Sequence, residues 1–298
     1  MNDRTAEFQA CRPKLYGIAY RMLGSRADAE DILQEAFLRW HRADGGSVRN
    51  PHAWLTTAVT RLCIDRLRAV QAERRAYYGP WLPEPLVGED AGRPDRASEL
   101  ASDLSVAFLL LLERLAPRER AAFLLHEVFD CGYGEIAPML GVSEANCRQI
   151  VRRARQRVQR DRPRFEVTDA ARRRLLETFH AALQAGDRDA LLALFAPDAT
   201  WIADGGGKAV AASKAVHGAA RIAKLLAGVG RRLAGQSPGR ISAHLLPING
   251  HTGLVTCIDG RPRMAISIET DGSRILAGYN VVNPDKLHGI ARHLERGG

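Results

Sequence analysis

Apolar positions recur at helical spacing from Phe8 to about Val70, broken by a Gly/Pro/Asn-containing stretch from Asp44 to Pro51. The pattern predicts a small helical unit over residues 1–75. From Tyr78 to Ala97 the chain turns to Gly79, Pro83, Pro85, Gly88, Gly92 and Pro94 among several acids. Such a composition buries too little apolar surface for a core, so residues 76–101 are expected to form a linker. Helical periodicity resumes near Leu100 and runs to Arg160, becoming very basic at its end, which gives a second helical unit over 102–162. Past Arg162 and Pro163, the residues Leu175, Leu176, Phe179, Ala182 and Leu183 form the apolar face of one amphipathic helix, and Leu191, Leu192 and Phe195 that of another. The remainder is β-branched and punctuated by Asn249-Gly250, Asp259-Gly260 and Asp271-Gly272, which are hairpin signals. Residues 168–298 therefore read as an α+β domain with helices on one side of an antiparallel sheet.

The sharpest local signal is GYGEIAPMLGVSEANCRQIVRRARQRV, Gly132 to Val158. Ile136, Ala137 and Leu140 make the inner face of a short helix, Gly141 permits a tight turn, and Ser143 caps a second helix whose inner face is Cys147, Ile150 and Val151. This is helix-turn-helix patterning. Pro138 fits if Gly134 caps the first helix, because Pro138 then falls in the first turn, where N–H groups have no helical partner. The second helix presents Glu144, Asn146, Arg148, Gln149, Arg152 and Arg153 outward, residue types that pair with base edges in a major groove. Arg155, Arg157 and Arg160 follow with no acid between Glu144 and Asp161, a distribution suited to phosphates. A solvated basic helix end is the plainer alternative for that run.

Within DAEDILQEAFLRW, helical geometry sets Asp28, Asp31, Glu35 and Leu38 on one side and Ala29, Ile32, Leu33, Ala36, Phe37 and Trp40 on the other. The acidic stripe is either a solvated face or a dock for a basic protein surface. The next segment, VRNPHAWLTTAVTRLCIDRLRA, reads as a helix with Trp54, Ala58 and Leu62 turned to the core and Thr57, Arg61 and Arg68 on a face that can meet a DNA backbone. The loop from His41 to His52, with Arg42, Arg49, Asn50 and His52, offers hydrogen-bonding groups for an unstacked base.

Charge sharpens this picture. With 43 Lys and Arg against 34 Asp and Glu among 298 residues, the formal charge of +9 favours a polyanionic partner. The five cysteines, Cys11, Cys63, Cys131, Cys147 and Cys257, show no C-x-x-C pair, so neither a disulfide framework nor a zinc site is expected, nor any other metal or cofactor. No apolar run approaches the ~20 residues of a membrane helix, and MNDRTAEF is charged where a signal peptide is apolar, so a cytoplasmic protein without membrane contact is expected.

Taken together, DAEDILQEAFLRW with NPHAWLTTAVTRLCIDRLR resembles region 2 of sigma-70-family transcription factors, and LLERLAPRERAAFLLHEVFDCGYGEIAPMLGVSEANCRQIVRRARQRV resembles region 4. Their order, their separation and the missing intermediate domain are similar to the extracytoplasmic-function (ECF) group. The tail is similar to SnoaL-like domains fused to one subgroup, whose marks stand here as WLPEPL (Trp81 to Leu86, with Leu82 and Pro83), DGGGK (Asp204, Gly205, Gly206, Gly207, Lys208) and NPDKL (Asn283, Pro284, Asp285, Lys286, Leu287). The resemblance implies a multidomain fold: two all-α sigma domains and a cone-shaped α+β domain.

It further implies core RNA polymerase and promoter DNA as partners. Asp28, Asp31, Glu35 and Leu38 would meet the coiled coil of the beta-prime clamp, with the beta flap as a further contact. Arg49, Asn50, His52, Arg61 and Arg68 would read and open the minus-10 element, and the helix from Ser143 the minus-35 element. In that subgroup the tail replaces a separate anti-sigma factor, contacting the sigma domains and the linker within one chain.

SnoaL-like folds serve catalysis in some relatives and binding in others, so residues must decide. Asp204, His217, His244 and Asp259 are the available bases. Asp204, followed by three glycines, reads as part of an exposed turn, and the histidines lack paired spacing, so no catalytic residue is expected. DGGGK also lacks the spacing of a phosphate-cradling loop. The rival reading is a helix-turn-helix regulator fused to a SnoaL-like enzyme or ligand-binding domain.

Overall fold

A computed structural model describes residues 3–43, 48–87, 104–160, 167–235 and 241–296. The chain divides into two compact units, Met1–Ala76 with Ala91–Arg162, and Tyr77–Asp90 with Pro163–Gly298. Much of the Asp44–Pro51 break, the linker beyond Val87 (with Gly88, Gly92 and Pro94) and the boundary at Arg162 and Pro163 lie outside the described residues.

The first unit is helical. Helices α1 (Asp3–Leu23), α2 (Arg26–Arg42) and α3 (Pro51–Arg75) pack around Leu15, Ile18, Met22, Ile32, Leu55, Val59, Cys63 and Leu67. Gly24, at φ +64°, ends α1, and the Ser25 hydroxyl accepts the Asp28 N–H to start α2. Then come α4 (Val106–Glu113), α5 (Pro117–Phe123) running into a π-turn at Leu124–Val128, α6 (Tyr133–Leu140) and α7 (Glu144–Arg160). The last carbonyls of α1, left without helical donors, are taken by guanidiniums: Arg120 Nη1 donates to Met22 O at 2.6 Å and Arg74 Nη2 to Leu23 O at 2.6 Å. Both arginines also ion-pair with Glu113. Burial alone would raise the Glu113 carboxyl, but the Arg120 and Arg74 charges outweigh it and hold the group below the usual carboxylate range.

Two expectations about α3 and α6 change. The buried face of α3 carries Leu55, Val59, Cys63 and Leu67, while Trp54, Ala58 and Leu62 are only half-buried. Helix α3 starts at Asn50, whose side chain accepts the Ala53 N–H, with Pro51 at the first helical position. Helix α6 starts two residues earlier than supposed: Gly132 is its N-cap, because Glu135 Oε2 accepts the Gly132 N–H at 2.7 Å. Pro138 therefore lies inside the helix rather than in its first turn.

The second unit has helices α8 (Asp169–Ala185) and α9 (Arg188–Leu194), strands β1 (Phe195–Asp204) and β2 (Val216–His217), helix α10 (Ala219–Ala234), strands β3 (Ile241–Ile248), β4 (His251–Ile258), β5 (Arg261–Thr270) and β6 (Ile275–Val281), and helix α11 (His288–Arg296). The sheet runs β2-β1-β6-β5-β4-β3. It is mixed, because β1 and β6 pair in parallel while the other neighbours are antiparallel. Asn249 and Asp259 adopt φ +53° before their glycines in two-residue turns, and Gly272 takes φ +96° in the longer turn from Asp271 to Arg274, so all three predicted hairpins form. Phe179, Leu183, Leu191, Trp201, Ile222, Leu226, Ile266 and Ile275 build one core. Trp201 lies over Gly278, where a side chain would meet its ring at 2.2 Å. Phe195 opens β1 instead of closing α9, and Leu192 stays exposed.

The segment from Tyr77 to Val87 is not a free linker. Leu82, Leu86 and Val87 are buried in this second unit, and Val87 bridges to Ile248. The hydrophobic residues between the prolines supply the apolar surface that composition alone discounted.

Candidate functional site

Helix α2 keeps its apolar side inward, with Ala29, Ile32, Leu33, Ala36 and Trp40 buried and Phe37 partly so. The stripe opposite is graded. Asp28 is half-buried and accepts from Arg66 Nε at 2.8 Å, Asp31 is exposed, Glu35 pairs with Arg39 at 2.7 Å, and Leu38 is 42% exposed. An exposed leucine beside two surface carboxylates gives this face both an apolar anchor and a sign of charge.

The start of α3 and the preceding residues enclose a concavity of about 490 Å³ lined by Arg39, Arg49, Asn50, Trp54, Thr57 and Arg61 among others. Arg49 and Asn50 are exposed, although Asn50 spends its side-chain oxygen on the helix cap. His52 lies outside this lining, with Nδ1 3.3 Å from Cys11 Sγ. Arg68, further along, pairs with Asp65 at 3.0 Å. Arg61 bridges to the helix-turn-helix, donating from Nη2 to Pro138 O at 3.0 Å and from Nε to Met139 O at 3.2 Å. Replacing Arg61 with alanine strips the end of α6 of two donors. We expect faster amide exchange across Gly141–Ser143 in a hydrogen-exchange measurement, with about 1 kcal/mol lost from the unit.

In the helix-turn-helix, Gly141 takes φ +65° and Ser143 Oγ accepts the Asn146 N–H. Cys147, Ile150, Val151, Ala154 and Val158 are buried, while Ser143, Glu144, Asn146, Arg148, Gln149, Arg152 and Arg153 are exposed along one surface. Glu144 pairs with Arg148, whose guanidinium also stands 5.4 Å from the Tyr133 ring centre. Arg155 and Arg157, assigned to phosphates from sequence, are tied to Glu127 and Glu119 of the preceding segments. Those partners lie some 30 to 40 residues upstream, beyond any local spacing rule.

The second unit gathers all three marked motifs. Asp204, expected in an exposed turn, is 0% exposed. It sits at the end of β1, and its carboxylate accepts from Tyr77 Oη at 2.6 Å, Leu82 N at 2.8 Å and Lys286 Nζ at 2.6 Å. Lys286 also donates to Leu82 O at 2.6 Å and lies 4.3 Å from the Trp81 ring centre. Asn283 Nδ2 donates to Tyr77 Oη at 2.8 Å, and Lys208 pairs with Asp285. Burial first, and the Asp204 carboxylate second, push the Tyr77 phenol well above its ordinary range and keep it neutral. Gly206 is required: at φ +56°, a side chain there would meet Asn283 Nδ2 at 2.2 Å and Tyr77 Oη at 2.6 Å. Further along, Asn249 Oδ1 accepts from Leu86 N at 3.1 Å, and Asn249 N donates to Leu86 O at 2.8 Å. Tyr77 and Asn249 take part in this clasp without having been singled out from sequence; the Asn249-Gly250 turn signal concealed the second role.

Of the remaining candidate bases, His217 and Asp259 are exposed, at a strand edge and a hairpin turn, and His244 is half-buried beside Ser242. Among the described residues no group of three or more His, Cys, Asp or Glu is placed to hold a metal ion, and no helix is long and apolar enough to cross a membrane.

Known proteins match along most of this chain. Residues 8–73 match the Sigma-70 region 2 family, 105–158 the Sigma-70, region 4 family, and 176–256 the SnoaL-like domain. ECF RNA polymerase sigma factor SigJ of Mycobacterium tuberculosis is 40% identical over 295 residues, covering 95% of this chain and 93% of SigJ. The protein described as "Probable ECF RNA polymerase sigma factor SigI", from the same species, is 34% identical over 195 residues, covering 65% of this chain and 67% of its own. The crystal structure of Mycobacterium tuberculosis SigJ superimposes with a TM-score of 0.74 at 38% identity, covering 96% of this chain and 98% of that one. With the helical regions and the mixed-sheet domain in the same order, the chain belongs to the ECF RNA polymerase sigma factors and carries a C-terminal SnoaL-like domain.

Proposed function

We propose that the first unit joins core RNA polymerase to a promoter through four contacts, two with the polymerase and two with DNA, and that the second unit regulates it in place of a separate anti-sigma factor. The acid-edged face of α2, with Asp28, Asp31, Glu35 and Leu38, docks on the clamp coiled coil, and the region 4 unit meets the flap. The concavity at Arg49, Asn50, Trp54 and Arg61, with Arg68 beyond it, receives the minus-10 element. Its mix of guanidiniums and a half-buried indole suits an unstacked base. Helix α7 reads the minus-35 element from its exposed edge. The work is done in the cytoplasm, where the polymerase is.

One observation carries the promoter reading: seven polar residues from Ser143 to Arg153 are exposed on a helix whose other side is fully packed. Arg152→Ala is expected to weaken minus-35 binding by about 1–3 kcal/mol and to relax sequence preference at one position. Arg155→Ala, whose guanidinium is engaged by Glu127, should change binding much less and leave preference intact. Anisotropy titrations on a panel of single-base minus-35 variants at fixed salt distinguish the two; equal effects would overturn the division of labour.

The regulatory reading rests on the clasp of Asp204, Asn283 and Lys286 around the Tyr77–Leu86 strap, which governs how freely that stretch of the linker can move. The same contacts weigh against catalysis in the tail, because the best-placed carboxylate is committed to three donors.

A further inference from the structure

The turn that leads into the helix-turn-helix builds a stack of side chains ending on one exposed arginine. After α5 the chain runs through the π-turn at Leu124–Val128, and Asp130 then takes φ +55°, which turns it out of the helix before α6 begins. Tyr133, the first residue of α6, comes to lie on His126, with the ring centres 4.2 Å apart and the planes 28° from parallel. His126 Nδ1 donates to Cys131 O at 3.0 Å, and the backbone ahead of Tyr133 is fixed by the bond from Gly132 N to Glu135. The Arg148 guanidinium stands over the same tyrosine ring, 5.4 Å from its centre, and donates from Nη2 to Glu144, one turn earlier on α7. His126 and Tyr133 are half-buried, whereas Arg148 is exposed. Among the described residues, neither Arg152 nor Arg153 has a carboxylate or aromatic partner of this kind.

We propose that Tyr133 is a positioning residue for sequence readout: its ring, backed by His126, and the Glu144 carboxylate hold the Arg148 guanidinium in one orientation, from which Arg148 reads a guanine of the minus-35 element, a role that rests on the assignment of α7 to that element. A guanidinium pairs with guanine O6 and N7 through two N–H donors in its own plane, so it discriminates only when that plane meets the base edge correctly. An arginine with free rotamers loses them on making such a pair, and one already held by two partners has less to lose. Left free, the same side chain finds any nearby phosphate and binds every sequence alike. The Glu144 carboxylate repels phosphate at that spot, which leaves the base edge as the better acceptor.

Anisotropy titration of core polymerase reconstituted with each full-length variant, on duplexes carrying every single-base change in the minus-35 element at fixed salt, tests this role. Arg148→Ala should lose about tenfold of the discrimination at one base pair, where the parent prefers guanine. Tyr133→Leu should lose about threefold at that same base pair, with the preference at every other position unchanged. Tyr133→Phe keeps the ring face and should match the parent. In the Arg148→Ala background, Tyr133→Leu should remove no further discrimination, because the group it positions is gone. A merely structural tyrosine would instead weaken binding to all the duplexes alike, in either background, and that result overturns the proposal. So does a loss in Tyr133→Phe equal to that in Tyr133→Leu. Intact discrimination in Tyr133→Leu, while Arg152→Ala still relaxes its own position, overturns the role of Tyr133 alone. A parent that binds all the duplexes equally overturns the minus-35 assignment, and the positioning role with it.

Discussion

Reversing Asp31 and Glu35 to lysine is expected to abolish binding to core RNA polymerase while leaving the fold unchanged. Asp31 is exposed and Glu35 makes only a surface pair with Arg39, so neither carboxylate supports the core beneath α2. Against a basic partner surface the same two changes replace attraction with repulsion twice. Close charge pairs across interfaces couple by about 1.5–7 kcal/mol, so the loss should be at least about a hundredfold and should shrink as salt is raised. Asp28 is the wrong residue to reverse, because it is tied to Arg66 of α3 and its loss would also disturb the packing of the unit. Leu38→Ser should act in the same direction with less effect. A pull-down with core polymerase, read beside circular dichroism of the variant, gives the answer. Undiminished binding would assign the stripe to solvent.

Asp204→Ala is expected to free the strap. It removes the acceptor of Tyr77 Oη, Leu82 N–H and Lys286 Nζ together, and deprives a largely buried ammonium of this carboxylate. Breaking such a buried pair typically costs about 3–5 kcal/mol, a large share of a domain's stability. The local consequence is rapid amide exchange at Leu82 and Leu86 and earlier proteolytic cutting within Tyr77–Leu86, together with altered promoter-directed transcription. Lys208→Ala breaks only the exposed pair with Asp285 and should change these readouts little. If the two variants behave alike, the buried carboxylate is not the centre of the clasp.

Local patterning carried the helices of the first unit and the helix-turn-helix, because each is written in residues three or four apart: Ile136 with Leu140, Cys147 with Val151, Ser143 before its helix. Hairpins at Asn249-Gly250 and Asp259-Gly260 were equally local, requiring only the left-handed backbone that those residues tolerate. Helix α10 was not among the expected elements, although Ile222, Ala223, Leu226 and Ala227 are spaced for it; Gly228 and Gly230 lie within it. Gly230 is there for a tertiary reason: any side chain would strike Leu183 O of α8. The parallel β1–β6 pairing was invisible for the same kind of cause, since no short-range signal joins Trp201 to Gly278. Asp204 misled most. A carboxylate ahead of three glycines looks like a solvated turn, and only partners more than 80 residues away turn it into a buried hub. Glycine there permits close approach of Asn283 and Tyr77 rather than mere flexibility.

A chain ending at Arg162 removes residues 163–298 without cutting any described helix or strand. Transcription reconstituted with core polymerase on a genomic fragment library, using the full-length chain and the chain ending at Arg162, probes the whole account at once. The two proteins should direct initiation from the same start sites, in unequal amount, with the difference reproduced by Asp204→Ala in the full-length chain. Failure of both to select any start site would contradict the sigma-factor mechanism, and equal output from both would contradict regulation by the tail.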